Sequence, residues 1–169
     1  MTITVYGAGA IGGITGARLA EAGHDVLLVD KAEDHVAAMN ARGLTIETRE
    51  GGVTIPVRAL TPGALTSGLE LVLLAVKSQD TPAALDVLKA RLAPEGAIVS
   101  LQNGLNEELI ANAVGAHRTV GCLVNWAADW QAPGRILHGG HGAFVVVAKG
   151  YEAFADAILK KLIIEIATK

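Results

Sequence analysis

Gly7, Gly9 and Gly12 form a G-x-G-x-x-G pattern directly after the apolar run 2–6 and directly before a helical one. In that order each glycine has a separate task in holding a dinucleotide. Gly7 permits the tight turn out of a strand. Gly9 leaves room for backbone N–H groups of Ala8, Ala10 and Ile11 to approach a pyrophosphate. Gly12 lets the helix pack close to the strand, so that the phosphates meet the unpaired N–H groups and positive dipole end of the helix. The plainer alternative is an ordinary Gly-rich β–α turn. A second apolar run ends in Asp30, close to the spacing of about 20 residues at which an acid accepts hydrogen bonds from the adenosine ribose. A carboxylate there repels a 2′-phosphate and favours NAD over NADP. Lys31 follows, and could reach such a phosphate if Asp30 turned aside; a helix-capping role is the alternative for Asp30. Two more polar residues, Lys77 and Asn103, stand where apolar runs end. Ligands of open α/β sheets bind beyond the carboxyl ends of the strands, which is where Asp30, Lys77 and Asn103 all fall. Each also has a bland reading: a solvated lysine opening a loop, and an Asn-Gly turn dipeptide.

The elements that must position these residues follow from the hydrophobic rhythm. Segments 2–6, 26–30, 71–76 and 97–101 are short, nearly unbroken apolar runs, as expected for parallel strands covered on both faces. Between them the periodicity predicts helices from the glycine turn to near Gly23, over Glu33–Arg42, and over 81–92 with Pro82 at its favoured first position, followed by Glu107–Val114. Segments 44–48 and 53–57 alternate around Gly51-Gly52 and read as a small antiparallel hairpin. Segment 119–126 is β-prone. Ala132-Pro-Gly turns into Arg135–His138, a Gly-rich stretch leads to a strand over 144–148, and a helix is expected over 151–162 before a short tail. Strand–helix alternation predicts an α/β fold. It is a Rossmann-type, doubly wound, mostly parallel sheet with a small antiparallel addition, forming one dinucleotide-binding domain over 1–169.

Composition narrows the function further. The net charge is −3, with no basic block or aromatic-interleaved Lys/Arg stripe, which argues against nucleic acid. Apolar runs reach about eight residues, short of the ~20 that span a bilayer, so no membrane association is expected. The first residues enter a strand at once, without the pattern of a signal peptide. The single Cys122 cannot form an internal disulfide and reads as a buried thiol. A reducing, cytoplasmic setting is expected. His138 and His141 lack the spacing and companions of a metal pair. Ser78 and Ser100 have no His/Asp arrangement that would make them nucleophiles. Trp126 and Trp130 read as core or interface anchors.

Taken together, Gly7-Ala-Gly-Ala-Ile-Gly-Gly13, Gly23-His-Asp-Val, Ala75-Val-Lys77-Ser-Gln, Leu101-Gln-Asn103-Gly104 and Pro133-Gly-x5-Gly140-x-Gly142 resemble the N-terminal domain of the ketopantoate reductase (2-dehydropantoate 2-reductase) family. The V-K-S-Q and L-Q-N-G pair is the more particular part of the resemblance. It implies NAD(P)H-dependent reduction of a 2-keto acid to a 2-hydroxy acid, with ketopantoate to pantoate, a step towards pantothenate and coenzyme A, as the founding reaction. It places Lys77 near the cofactor's ribose and nicotinamide side and the substrate carboxylate, and Asn103 against the nicotinamide ribose and the substrate's polar groups. The family usually prefers NADP and often carries a basic residue where this chain has Asp30. That departure gives a slight lean to NAD(H).

The resemblance also implies a C-terminal all-helical domain, absent from this sequence, whose Trp-x-Lys-Leu-like segment supplies the lysine general acid. Lys160-Lys161-Leu162 is similar to it only superficially. It lacks the Trp and falls in the helix that normally precedes the domain junction. The expected partner is a small keto acid; a homo-oligomer is left open. The alternatives are a stand-alone dinucleotide-binding module without catalysis, or the first domain of another hydroxyacid dehydrogenase, the latter disfavoured by the V-K-S-Q and L-Q-N-G pair.

Overall fold

The computed structural model describes residues 1–140 and 143–147. The expected helix over 151–162, the tail after it, His141 and Lys160-Lys161 lie outside the described residues. The main sheet is built from β1 (Ile3–Tyr6), β2 (Val26–Val29), β5 (Arg58–Leu60), β6 (Leu69–Leu74), β7 (Leu92–Ser100), β8 (Thr119–Asn125) and β11 (Ala143–Val147). Their order across it is β11-β8-β7-β6-β1-β2-β5. All neighbours from β8 to β5 are parallel, and β11 runs antiparallel to β8. The strands are apolar for a physical reason: β1 is buried at all four positions and β6 at five of six, because helices or further strands cover both faces. Leu71, Leu73 and Leu74 are essentially inaccessible to water, each stabilising the fold by roughly 1.5–3 kcal/mol through burial.

Helix α1 (Ala10–Glu21) leaves the turn after β1, and α2 (Glu33–Arg42) leaves the end of β2. A second sheet of four strands, in the order β4 (Gly51–Ile55), β3 (Leu44–Thr48), β10 (Arg135–His138), β9 (Ala128–Ala132), closes over α1. Covered by a sheet on either side, α1 buries an almost continuous run of residues, Gly12 to Ala17 and Leu19. Helix α3 (Thr81–Leu88) and α4 (Glu107–Val114) complete the alternation.

Three local expectations change. The hairpin turn falls at Arg49-Glu50, one step before Gly51-Gly52. The Thr48 hydroxyl closes it by accepting the Glu50 N–H and donating to the Gly51 carbonyl, which leaves both glycines in β4 paired with β3. The small sheet is mixed, since β10 lies parallel to β3 and antiparallel to β9. Strand β9, with Asp129, Trp130 and Gln131 exposed, carries no apolar alternation to announce it. Helix α3 stops at Leu88, four residues before the expected end. The Arg91 carbonyl accepts the N–H groups of Gly68 and Leu69, drawing the chain into the sheet so that β7 begins at Leu92.

The register brings the expected site residues to one edge. Tyr6 is level with Val29 on one side and Leu74 on the other, and Leu74 is level with Ser100. The next residues of four neighbouring strands, Gly7, Asp30, Ala75 and Leu101, therefore emerge side by side. The chain runs from β1 to β2 in one direction and returns to β6 in the other. The crevice between β1 and β6 is thus the switch point where such sheets take ligands.

Candidate functional site

At the end of β1, Gly7 turns with φ +99°, a conformation that side chains strongly disfavour. A Cβ on it would stand 2.7 Å from the Val76 nitrogen and 2.9 Å from the Ala75 carbonyl carbon. A Cβ on Gly12 would meet the Gly7 carbonyl oxygen at 2.0 Å and the Ala75 side chain at 2.9 Å. Gly7 and Gly12 are therefore glycines because protein fills the space beside them. Gly9 differs: its backbone is extended, and a Cβ there meets nothing within 4 Å. Its side of the turn is open, bordered by the start of α1 (Ala10 and Ile11, both half-buried). The first N–H groups of a helix have no partner within it, so this end offers a concentrated set of donors. The turn is anchored from beneath by the Gly7 and Ala8 N–H groups, both donating to the Val29 carbonyl.

Asp30 stands at the end of β2 as expected, half-buried. One carboxylate oxygen, Oδ1, accepts the Ala32 N–H at 3.0 Å, closing a turn before α2. The helix's own N-cap is Ala32, which has no side-chain cap bond, so Asp30 does not take the capping role. The bond to the Ala32 N–H leaves the second carboxylate oxygen, Oδ2, for another partner. Lys31 turns away across the surface to Asp80, Nζ to Oδ1 3.1 Å. Such an exposed pair contributes little stability, and its ammonium is free to be drawn elsewhere.

Lys77 and Asn103 are both exposed, on neighbouring loops after β6 and β7. The structure supplies the reason these loops stay together, which the sequence reading did not assign. Gln102, 5% exposed, donates from Nε2 to the Val76 carbonyl and to the Thr81 hydroxyl, each at 2.7 Å. Asn106 donates from Nδ2 to the Ser78 hydroxyl at 2.9 Å. The residues on either side of Lys77 are thus fastened to those on either side of the Asn103-Gly104 turn. Asn103 itself accepts the Val124 N–H through Oδ1 at 3.3 Å, which presents its amide N–H groups outward. Gln102 lies inside the L-Q-N-G segment, and a glutamine directly after the apolar run 97–101 is the sequence signal that marks it.

A cavity of about 530 Å³ lies between α4 and β8, lined in part by Gln102, Gly104, Glu107, Ala111 and Cys122. None of the glycine turn, Asp30 or Lys77 lines it, so it is separate from the crevice between β1 and β6. Burial pushes the Cys122 thiol up to about 12, which keeps it protonated and unreactive near neutrality. Ser78 and the buried Ser100 serve as hydrogen-bond partners of Asn106 and Gln102. Trp126 packs partly buried against the core and meets His138 edge-on, while Trp130 meets His35 in the same manner. Among the described residues no group of three or more His, Cys, Asp or Glu side chains could hold a metal, and no helix is long and apolar enough to cross a membrane.

Residues 3–149 match the family described as ketopantoate reductase PanE/ApbA. The chain is 36% identical over 166 residues to the 2-dehydropantoate 2-reductase of Pyrococcus horikoshii, covering 94% of this chain and 52% of that protein. It is 34% identical over 160 residues to the enzyme of the same name from Mesorhizobium japonicum, covering 82% and 49%. The chain thus spans about half the length of the curated relatives it matches. Among solved structures, a PanE/ApbA family ketopantoate reductase from Ralstonia eutropha superposes with TM-score 0.83 at 31% identity, over 98% of this chain and 54% of that one. A D-mandelate dehydrogenase solved with NADH and anilino(oxo)acetate superposes with TM-score 0.88 at 24% identity, over 98% and 54%, and shows the shared fold.

Proposed function

The chain belongs to the ketopantoate reductase PanE/ApbA family, and from that premise we propose that it is the cofactor-binding half of an NAD(P)H-dependent reductase. Its substrate would be a 2-keto acid reduced to the 2-hydroxy acid, ketopantoate to pantoate first among them, on the route to pantothenate and coenzyme A. The observation that carries this reading is the single edge on which the glycine turn, Asp30, Lys77 and Asn103 emerge. It is reinforced by the Gln102 and Asn106 bonds that hold the last two loops together. The open side of Gly9, beside helix N–H groups, is the cradle a pyrophosphate requires.

A bound reduced nicotinamide supplies the hydride. The residues of this chain do the holding. The Gly7 and Ala8 N–H groups are committed to the Val29 carbonyl, so Gly9, Ala10, Ile11 and Gly12 offer the backbone donors to the diphosphate, and Gly9 leaves it the space a side chain would fill. Asp30 accepts the ribose hydroxyls and disfavours a 2′-phosphate, with Lys31 as the competing cation. The Lys77 ammonium and the Asn103 amide donate toward the nicotinamide ribose and the polar groups of the keto acid, which brings the carbonyl into line.

The test is titration with NADH and NADPH in parallel, followed by cofactor fluorescence. Saturable binding of both, tighter for NADH, is expected. Absence of binding overturns the reading, and a clear NADPH preference transfers control to Lys31. Turnover of ketopantoate by these 169 residues alone is expected to lie roughly 10²–10⁴-fold below that of the chain joined to a family helical domain, the range that general acid catalysis contributes.

A further inference from the structure

The side chain most deeply committed to the glycine turn belongs to none of the motifs. His35, in the first turn of α2, is 1% exposed. Its Nε2 lies 2.9 Å from the Ala8 carbonyl oxygen, and its Nδ1 lies 2.9 Å from the backbone nitrogen of Gly134, in the turn between β9 and β10. Trp130 packs edge-on against the ring, with centroids 6.2 Å apart. Each partner can play only one part. The Gly134 N–H is a donor, so Nδ1 must accept; the Ala8 carbonyl is an acceptor, so Nε2 must carry the proton. The surroundings therefore select one neutral tautomer and use both of its nitrogens.

The bond to Ala8 has a consequence at the ligand face. The Ala8–Gly9 peptide is trans, and in a trans peptide the C=O and N–H point in opposite directions. Drawing the Ala8 carbonyl inward to His35 aims the Gly9 N–H outward, away from the protein interior. No described residue accepts that N–H. The same ring ties this peptide to Gly134, whose carbonyl in turn accepts the Thr45 N–H at 2.9 Å, so the small sheet braces the turn through one side chain.

We propose that His35 is a positioning residue for the dinucleotide site. Through Nε2–H it fixes the Ala8–Gly9 peptide so that the Gly9 N–H is presented to the cofactor diphosphate, and through Nδ1 it takes its own orientation from the β9–β10 turn. This rests on the proposed dinucleotide site and adds to it a residue that touches neither cofactor nor substrate.

Two variants separate the two bonds. His35→Gln keeps an N–H donor at the reach of Nε2 and loses the acceptor for Gly134. His35→Asn keeps an acceptor near the place of Nδ1 and loses the donor to Ala8. Both remove one hydrogen bond, so both are expected to lower the melting temperature by similar amounts. NADH affinity should part them. His35→Asn is expected to bind roughly tenfold more weakly, the worth of about one hydrogen bond, and His35→Gln within about twofold of the unmodified chain. Affinity that follows melting temperature in both variants, or is unchanged in His35→Asn, overturns the positioning role while leaving the cofactor site standing. Failure of the unmodified chain to bind either dinucleotide overturns both readings. The imidazole ¹⁵N shifts of the unmodified chain give a readout that does not depend on a variant folding. A protonated Nε2 and a bare Nδ1 are expected, and the opposite tautomer refutes the geometry. On addition of NADH, the Gly9 amide should be among the resonances that move; a Gly9 amide that stays in place counts against the proposal.

Discussion

The turn after β1 and the paired loops after β6 and β7 face the same crevice but are built on opposite plans. The turn presents backbone. Its side chains are reduced to hydrogen where protein crowds Gly7 and Gly12 and where Gly9 faces open space, and its rigidity comes from the Val29 carbonyl and His35 beneath it. The loops present side chains, Lys77 and Asn103, and their rigidity comes from two buried amides, Gln102 and Asn106, that bond one loop to the other. A diphosphate is the same in every dinucleotide, so fixed N–H groups suffice for it. In the proposed function, a nicotinamide ribose and a keto acid need a charge and an amide at particular places. In both regions the presenting residue and the residue that holds it steady are different, and substitutions can separate the two tasks.

The largest effect is expected at Gly9. Its backbone is extended and a side chain there meets no protein atom, so Gly9→Val should fold with nearly unchanged stability. The branched side chain would instead occupy the cradle, and NADH affinity is expected to fall at least roughly a hundredfold, as expected for overpacking of a close contact. Calorimetric titration beside a thermal melt checks this: unimpaired binding would show the glycine turn to be structural only. Gly12→Ala is the contrasting case. Its Cβ would lie 2.0 Å from the Gly7 oxygen, which requires backbone movement, and a loss of about 1–3 kcal/mol in unfolding free energy is expected together with weaker cofactor binding. If Gly12→Ala proved as stable as Gly9→Val, the contact argument for the turn would fail.

This difference also explains what could be read beforehand. Apolar runs flanked by glycines carry their own evidence, because a strand buried on both faces must be apolar and a turn at φ +99° all but requires glycine. The register that sets Gly7, Asp30, Ala75 and Leu101 on one edge follows from that pattern, and so does the nearness of Lys77 to Asn103. Gln102, Asn106 and His35 are polar residues whose bonds cross 21 to 99 positions of sequence. No local rhythm marks such residues, since their role is created by the fold that they then stabilise. Strand β9 was hidden for a related reason: it is polar and exposed and gains its order from pairing with β10. The early end of α3 was set by the Arg91 carbonyl finding partners at Gly68 and Leu69, again a long-range bond.

On the side-chain plan, Gln102 is the point of greatest leverage. Gln102→Leu fills a similar volume and removes both donors, leaving the Val76 carbonyl and the Thr81 hydroxyl to seek other partners. A buried polar group deprived of its partner costs about 1–3 kcal/mol, so unfolding by urea should show a loss in that range. The loop carrying Lys77 should then exchange its amide hydrogens faster than the glycine turn does. Equal protection of the two regions in this variant would mean that Lys77 is held by something other than the Gln102 clip.

The smallest effect is expected where the two plans meet, at Asp30, which offers a side chain from the strand end nearest the turn. Its carboxylate has two tasks: Oδ1 accepts the Ala32 N–H, and the negative charge is proposed to discriminate against a 2′-phosphate. Asp30→Asn separates them, because the amide keeps an acceptor for Ala32 while removing the charge. Stability should therefore stay nearly constant, whereas Asp30→Ala should lose about 0.5–1.5 kcal/mol, the net worth of one hydrogen bond. The ratio of NADPH to NADH affinity should rise in both variants by roughly tenfold, the worth of one unfavourable charge contact of about 1.4 kcal/mol in a partly exposed site. Raising the salt concentration should shrink that shift, since salt weakens interactions between exposed charges. Lys31 gives the matching control. Freed of Asp80 by Asp80→Asn, its ammonium loses its surface partner, and NADPH affinity should improve by a smaller factor than in Asp30→Asn. If instead the ratio moved only with Asp80→Asn, cofactor choice would reside in the Lys31 cation, and Asp30 would be reduced to closing the turn before α2.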